Sequence, residues 1–292
     1  YVYAFIFVGA AEEISFISNS IRENIILSAL IMSLGLYPYT FLLCKAQLKK
    51  IGVNLFKASK SLGKNNFQTI YLVLLPSLKP SIFAGTVLCI FETISDFGGV
   101  AALGINTLTV GIFNIWFGYQ DLISGATISL ILFLLAMLIL FISRVSSKSE
   151  RFPGAGKSKH SLIRPNKVLN FSIVLFCSSI FGIAFIFPVG QLLLWSSENL
   201  TNNIPLGLLL NSFYIGFIVA FAAAIIALIL SLGSFRNSNK IIFNLSTIGY
   251  AIPGSVLAVA LLLVFNFYFG ISITKLGIYG LFLCLLIRFI TP

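Results

Sequence analysis

The chain has 292 residues, of which 58% are hydrophobic and only 9% are charged, and its mean hydropathy is +1.03. An ordinary soluble domain has about 25% charged residues, so this composition excludes that class and indicates an all-α, polytopic membrane protein. The net charge of +11 does not indicate a nucleic-acid partner, because the basic residues flank apolar segments and form no folded surface with base-reading or stacking side chains.

Apolar runs follow one another along the whole chain. A membrane-spanning helix needs about 20 apolar residues. Six runs are long enough to span: 25–44, 80–101, 123–143, 168–195, 208–233 and 241–267. Further apolar runs at 1–9 and 277–292 lie at the two ends of the sequence. Because the sequence begins and ends inside apolar runs, we expect it to be part of a longer protein.

The basic residues predict how these spans are oriented. Most lysines and arginines fall in three stretches, 45–79, 144–167 and 234–240, whereas the stretches between them hold acidic residues and almost no base. Basic loops stay preferentially on the cytoplasmic side of a membrane. The sequence therefore predicts that these three stretches are cytoplasmic.

A polar segment with several lysines, 52–80, separates the first long apolar run from the second. Its first part places four residues on one small, mostly apolar helix face: Leu55, Ala58, Ser59 and Leu62. Gly63 follows where a helix end needs a residue with positive φ, and helical spacing then resumes as far as Pro76. Pro80 is expected in the first turn of the next membrane helix, where its missing N–H is tolerated. The segment therefore predicts two short helices that meet at a glycine.

This segment resembles the EAA loop of the permeases of ATP-binding-cassette importers. The matching residues are the pair Ala58-Ser59, the glycine Gly63 and the pair Leu75-Pro76. In that family the loop docks on a cytoplasmic ATP-binding subunit, so the resemblance implies such a partner. ATP would be bound by that partner, and no cofactor is expected in this chain. It also implies docking contacts by Lys57, Ala58, Ser59, Leu62, Gly63 and Pro76.

One position departs from the pattern of that family. The family's loop usually opens with glutamate, and here that position is Lys57. The reversed charge removes any salt bridge to a cation of the ATPase and predicts a compensating change in the partner's groove. A basic amphipathic loop lying on lipid headgroups is the alternative. The small residues Ala58, Ser59 and Gly63 favour close protein contact over that alternative.

Two acidic residues lie inside the apolar run 80–101, Glu92 and Asp96, at the i, i+4 spacing of one helical face. Charged groups in a membrane are costly, so they are candidates for a translocation pathway or gate. The alternative is a structural role: for Glu92 a hydrogen bond across the helix bundle, and for Asp96 a position near the outer headgroups. Tight binding of a metal ion needs more ligands than two carboxylates, so we predict no metal site here.

Further along, four segments resemble the fused two-domain permeases of ferric-iron importers: 91–98, 104–112, 116–118 and 249–258. The resemblance implies a helix bundle of the type I importer kind in the bacterial inner membrane. Such a chain takes ferric iron from a periplasmic ferric-iron-binding protein and passes it to the cytoplasm. It is a transport subunit and not an enzyme, because ATP is hydrolysed on the separate subunit.

The stretch 145–167 is rich in glycine and serine and contains two prolines, which is typical of a linker. It predicts a first membrane half over 1–144 and the start of a second half over 168–292. Short matches offset by 254 residues indicate that the halves are related, and they predict a second docking loop just after Pro292. Gly156-Lys157-Ser158 predicts no nucleotide site, because Arg151 stands where a phosphate-binding loop needs glycine.

Two more segments are candidates for transport functions. Pro253 and Gly254 inside the run 241–267 predict an interrupted helix, which transporters place at cavities, although an ordinary kink is the alternative. The stretch 105–120 predicts a short helix on the outer face, which either helps to receive the binding protein or anchors aromatic residues in the membrane interface.

The residues leave other functions open. An importer permease for sulfate, thiamine or a polyamine would share the docking loop, and an ion-coupled secondary transporter would use Glu92 as its cation site. A secondary transporter needs no docking loop, however. A membrane enzyme is disfavoured because the sequence has no hydrolase nucleophile pattern and its four cysteines are dispersed.

Overall fold

The computed structural model describes residues 2–13, 24–147, 167–198, 206–236, 249, 252–270 and 273–289. No strand occurs in this described part, so the prediction of an all-α protein is confirmed. The helices are α1 (Val2–Glu13), α2 (Ile25–Ser61), α3 (Asn66–Thr69), α4 (Leu75–Ser95), α5 (Gly98–Ala102), α6 (Leu108–Phe113), α7 (Leu122–Ser147), α8 (Lys167–Phe181), α9 (Phe187–Glu198), α10 (Leu206–Arg236), α11 (Gly254–Phe269) and α12 (Ile273–Phe289). Single π-helical turns join α3 to α4 at Ile70–Leu74, continue α6 at Asn114–Gly118 and join α8 to α9 at Gly182–Ile186.

Five helical segments of the described chain are long and apolar enough to cross a membrane: Ile25–Lys49, Asn66–Ser95, Leu122–Ser143, Lys167–Ser197 and Leu206–Leu232. They correspond to five of the six long apolar runs, and a multi-pass membrane protein is therefore confirmed. The sixth run is described only in part, because residues 241–248 and 250–251 lie outside the described residues, and its visible helix α11 has 16 residues.

The helix that contains α4 differs from the prediction at both ends. It begins at Asn66 instead of residue 80, so Pro76 and Pro80 both lie inside it, and the predicted helix boundaries at these two prolines are wrong. A proline lacks the N–H that the regular helical ladder uses, and the π turn Ile70–Leu74 changes that ladder directly before Pro76. The helix then ends at Ser95, six residues earlier than expected.

The chain divides into two compact units. The first comprises Tyr1–Thr93, Ala102–Ile105 and Phe141–Ser197, and the second comprises Ile94–Ala101, Asn106–Leu140 and Glu198–Pro292. A buried apolar cluster of the first unit consists of Ala4, Val8, Ile31 and Leu103. A cluster of the second consists of Ile112, Leu132, Val256 and Val259. Most of the predicted linker lies outside the described residues, so the predicted division into two halves remains a prediction.

In the first unit, α2 and α4 pack with their backbones in close approach. A Cβ atom built on Gly85 of α4 would lie 2.5 Å from Thr40 Cα of α2. One helical turn further, Cys89 Sγ donates to the carbonyl of Leu36 at 3.4 Å. Small residues at intervals of four bring membrane helices together in this way, and α4 has such a series: Ser77, Ser81, Gly85 and Cys89. This contact holds the two helices that lead into the polar segment 52–80.

Candidate functional site

The polar segment forms a helical hairpin that we call the docking hairpin, residues 55–74: the end of α2, the turn 62–65, α3 and the π turn. The sequence predicted a separate short helix before Gly63. This prediction is wrong, because the part before Gly63 is formed by the last turns of α2. A helix of 37 residues is about 55 Å long, whereas the hydrocarbon core of a bilayer is about 30 Å thick. The length of α2 therefore carries the docking hairpin beyond the hydrocarbon.

Gly63 ends α2 in the way that the sequence predicts. Its φ is +78°, in the left-handed region that favours glycine. The Gly63 N–H donates to the carbonyl of Lys60 at 3.0 Å, and the Lys64 N–H donates to the carbonyl of Ser59 at 3.2 Å. These two bonds form a Schellman motif, which satisfies carbonyls that would otherwise lack partners at the helix end. The positive φ at Gly63 is confirmed.

Helix α3 begins with a capping box that the sequence analysis missed. The Asn65 side chain accepts from the Gln68 N–H at 2.9 Å, and the Gln68 side chain accepts from the Asn65 N–H at 3.2 Å. Asn followed three residues later by Gln is a known signal for a helix start, and it is present in the sequence. The turn between α2 and α3 is thus defined on both sides by its own hydrogen bonds.

A buried hydroxyl pair joins the two arms of the hairpin. Ser59 is 4% exposed, Thr69 is fully buried, and their side-chain oxygens lie 3.0 Å apart. Thr69 Oγ1 also donates to the carbonyl of Asn65 at 2.9 Å. Since a hydroxyl has one proton, Ser59 donates to Thr69 in this pair. The small size of Ser59 therefore serves contact inside the hairpin, and not the partner contact that the sequence suggested.

We predict unequal effects when the two hydroxyls are removed. In Ser59→Ala, Thr69 keeps its bond to Asn65, so the loss of stability is about 0.5–1.5 kcal/mol. In Thr69→Val, the buried Ser59 hydroxyl loses its acceptor, so the loss is about 1–3 kcal/mol. Adding Ser59→Ala to Thr69→Val then restores part of that loss. Denaturant unfolding of all four proteins measures this cycle, and additive single effects would contradict the assignment of donor and acceptor.

The docking hairpin exposes both large apolar side chains and lysines. Leu62 is 81% exposed, Phe67 is 76% exposed and Tyr71 is 61% exposed, and the last two rings stack with centroids 6.3 Å apart. The exposed lysines of the hairpin are Lys57, Lys60 and Lys64. An exposed apolar patch with a polar rim marks an interaction surface.

The predicted docking residues do not all share this surface. Lys57, Ala58, Leu62 and Gly63 are exposed on the hairpin, whereas Ser59 is buried. Pro76 lies beyond the π turn in α4 and is partly buried. The structure therefore brings four of the six residues to the exposed surface of the hairpin.

Glu92 and Asp96 do not share a helical face. Glu92 is partly buried in α4, but that helix ends at Ser95, and the Asp96 carboxylate accepts from the Gly99 N–H at 3.2 Å. Thr109 Oγ1 donates to the Asp96 carbonyl at 3.0 Å. The interpretation of the two acids as one helical face is wrong at Asp96, because Asp96 is the first residue after the helix ends. These bonds favour the structural alternative for Asp96, and a pathway role for Glu92 stays a prediction.

Pro253 and Gly254 mark a helix start, as the prediction of an interrupted helix requires. Pro253 is non-helical, with ψ of 140°, and α11 begins at Gly254. A Cβ on Gly254 would lie 3.1 Å from Arg288 Nη1 of α12. A cavity of about 410 Å³ between α11 and α12 is lined by both residues and by Ala258, Gly277, Gly280 and Cys284. The sequence analysis missed Arg288, although its signal is a single base in the apolar run 277–292.

Asp121 directly precedes α7, which contains a candidate membrane span. Its carboxylate accepts from the N–H groups of Ile123 and Ser124, at 3.1 and 3.0 Å, and from the Ser124 hydroxyl. The hydrogen bond from the Ser124 side chain lowers the pKa of Asp121 below its ordinary value of 3.8 and is the largest cause of this shift. The two backbone hydrogen bonds lower the pKa further. Asp121 is therefore the ionised N-cap of this helix.

We predict a pH-dependent effect of replacing this cap. Because the pKa is lowered in the folded protein, the stabilisation by Asp121 is present above pH 3.8 and is lost as the pH falls through the lowered pKa. Asp121→Ala should melt at a lower temperature than the unmodified protein at neutral pH. In acid the two melting temperatures should become equal. Asp121→Asn retains a neutral cap, so at neutral pH its melting temperature should lie between those of Asp121→Ala and the unmodified protein. Thermal unfolding in detergent across pH 2–7 measures this, and a difference that persists unchanged in acid would contradict it.

The comparisons with known proteins bear on the whole chain. The family described as "Binding-protein-dependent transport system inner membrane component" matches residues 1–149. The Fe(3+)-transport system permease protein FbpB 2 of Haemophilus influenzae is 27% identical over 89% of this chain and 52% of its own length. A putative ferric transport system permease protein of the same organism is 22% identical over 82% of this chain and 42% of its own length.

The ferric transport system permease protein FbpB of Actinobacillus pleuropneumoniae is 23% identical over 82% of this chain and 38% of its own length. The chain thus spans about half or less of the length of the curated relatives it matches. No solved structure shows a significant match. The family match covers half of the chain, and the described part contains five membrane-spanning helices. The chain therefore belongs to the family of binding-protein-dependent transport system inner membrane components and is a multi-pass protein of the inner membrane.

Proposed function

We propose that this chain is part of the permease of an ATP-binding-cassette importer that moves ferric iron from a periplasmic binding protein to the cytoplasm. The permease alternates between access to the two sides of the membrane, and ATP is bound and hydrolysed by a separate cytoplasmic subunit. The observation that carries the proposal is the docking hairpin together with relatives whose names specify ferric transport.

The docking hairpin suits contact with an ATPase subunit for three reasons. Its turn is held by a Schellman motif and a capping box, so it is pre-organised and loses little conformational freedom on binding. Its exposed apolar side chains provide contact area, and the lysines around them favour an acidic rim on the partner. Because Lys57 stands where the family usually has glutamate, that partner should present an acid opposite it.

Ferric iron is favoured over other solutes by the relatives and not by a metal site. Among the described residues, no group of three or more His, Cys, Asp or Glu could hold a metal ion. A permease must release its cargo, so weak and transient contact is what transport requires. The three relatives named above all carry ferric transport in their descriptions, and they match along most of this chain.

Uptake into proteoliposomes tests the proposal. The full protein is reconstituted with its ATPase subunit and its binding protein, and entry of radiolabelled ferric iron is measured with and without ATP. We expect uptake that needs both ATP and the binding protein. Radiolabelled sulfate, thiamine and a polyamine serve as parallel substrates, and ATP-dependent uptake of one of these instead of iron would overturn the ferric assignment.

A secondary transporter is the second candidate, since Glu92 lies partly buried in a membrane-spanning helix. Uptake driven by a proton gradient in the absence of ATP, and abolished in Glu92→Gln, would support it and contradict the importer. Uptake that ignores the gradient and tolerates Glu92→Gln would exclude Glu92 as a coupling site.

A further inference from the structure

Helix α6 and its π turn form an apolar helix, Leu108–Gly118, that is too short to span the hydrocarbon core of a bilayer. Eleven residues extend about 16 Å, whereas the hydrocarbon core is about 30 Å thick. The helix nevertheless lies in sequence between two candidate spans, one that ends at Ser95 and one that begins at Leu122. It thus follows the end of one candidate span and precedes the start of the next.

The residues of this helix differ in their surroundings. Thr109 is 1% exposed and Ile112 is fully buried, and Ile112 packs in the apolar cluster of the second unit. Beside this buried face Phe113 is 40% exposed and Phe117 is 56% exposed. Tyr119, directly after the helix, is 80% exposed. The helix is thus fixed to the protein through Thr109 and Ile112, and the rings of Phe113 and Phe117 are exposed at the edge of that buried face.

The two exposed rings belong to a continuous row that we call the aromatic ladder: Phe97, Phe113, Phe117 and Trp116. Phe97 and Trp116 are partly buried, and Trp116 packs against the apolar cluster of the second unit. The centroids of Phe97 and Phe113 are 4.3 Å apart, those of Phe113 and Phe117 are 4.7 Å apart, and those of Phe117 and Trp116 are 4.5 Å apart. Contacts in this range are favourable for aromatic pairs and restrict each ring. The ladder is therefore a firm surface and not a set of independent side chains.

The chemistry of the segment favours lipid over a soluble protein as the occupant of this surface. Residues 97–120 include no Asp, Glu, Lys, Arg or His, so the ladder has no charged rim for a polar partner. Asn114, next to Phe113, is exposed and supplies an amide that can bond to headgroups. Aromatic side chains concentrate where headgroups meet acyl chains, because their rings are apolar but polarisable.

We propose that the aromatic ladder lies in the headgroup and acyl boundary of the bilayer and anchors the segment between two membrane spans. A lipid surface, and not the binding protein, covers Phe113 and Phe117. The anchor fixes the height of α6 in the membrane, and with it the turn at Asp96 that Thr109 holds by its hydrogen bond. This inference does not depend on the identity of the transported solute.

Nitroxide labels measure the depth of the ladder directly. All native cysteines of the full protein are replaced, and a single cysteine is introduced by Phe117→Cys and labelled with a nitroxide. The labelled protein is reconstituted in vesicles of phosphatidylethanolamine and phosphatidylglycerol. Collisions with oxygen, which concentrates in the acyl region, are compared with collisions with a water-soluble nickel chelate. Leu134, which is 57% exposed in α7, supplies the hydrocarbon reference, and the exposed Lys64 of the docking hairpin supplies the aqueous reference.

We expect the Phe117 label to show an oxygen-to-chelate ratio between those of the two reference sites, which places it at the boundary. A ratio equal to that at Lys64 would place the ladder in water and overturn the proposal in favour of a soluble partner. Low collision rates with both reagents would show that protein covers the ladder, and would overturn it as well. A ratio equal to that at Leu134 would contradict the boundary position and place the ladder in the hydrocarbon core.

Discussion

Replacing Gly63 with leucine is expected to abolish ATP-driven uptake in a protein that still folds. Among the described residues, none apart from the chain neighbours of Gly63 lies within 4 Å of a Cβ built on it, so a larger side chain meets no obstacle in this part of the protein. It would instead project from the turn of the docking hairpin toward any partner that contacts it. Uptake in proteoliposomes and co-purification of the ATPase subunit measure the effect, and normal coupling in Gly63→Leu would refute the docking surface.

Two further substitutions separate backbone strain from side-chain bulk. Any L-residue other than glycine at φ of +78° is strained by about 1–2 kcal/mol, and asparagine tolerates this region better than alanine. We expect uptake to decrease in the order Gly63, Gly63→Asn, Gly63→Ala and Gly63→Leu. If alanine were as harmful as leucine, strain alone would explain the loss, and the argument from partner contact would fail.

The second large effect is expected at Gly85, where α2 and α4 approach most closely. A Cβ there would lie 2.5 Å from Thr40 Cα, and a backbone atom in a packed helix cannot move aside as a side chain can. Gly85→Ala should therefore destabilise the protein by about 1–3 kcal/mol, the range of overpacked cores. Gly85→Leu should leave little folded protein, as measured by thermal aggregation in detergent.

The neighbouring residue on the same helix provides the matched control. Ala84 is exposed, whereas Gly85 is buried, so Ala84→Leu adds a larger side chain to the same helix without entering the contact with α2. We expect Ala84→Leu to melt close to the unmodified protein. Equal destabilisation by Ala84→Leu and Gly85→Leu would show that bulk on either side of α4 is harmful, and that the Thr40 contact has no special role.

Sequence reasoning succeeded where one residue type has one strong physical consequence. Long apolar runs must cross a bilayer, and five candidate spans overlap the predicted runs, although the second begins well before its run. A glycine at a helix end predicts a left-handed φ, and Gly63 has it. Pro253 and Gly254 predict an interrupted helix; α11 begins at Gly254, but residues 250–251 lie outside the described residues, so the interruption stays a prediction.

Sequence reasoning failed where a local pattern allows two structures and contacts with other parts of the chain decide between them. Pro76 and Pro80 were expected to bound helices, but the helix continues through both, and the π turn directly before Pro76 packs against α2. Ser59 was expected to face a partner, but Thr69 lies against it from the other arm of the hairpin. Spacing alone does not show which residue lies opposite.

The sequence by itself thus determined the class of protein, its spans and the position of the hairpin turn, because composition, run length and glycine act locally. The tertiary structure decided which small residues are buried, where α4 ends before Asp96, and how Gly85 fits against Thr40. It also placed Arg288 beside Gly254. These features arise from the approach of helices that are far apart in sequence, and the helical periodicity of one segment carries no information about its neighbour.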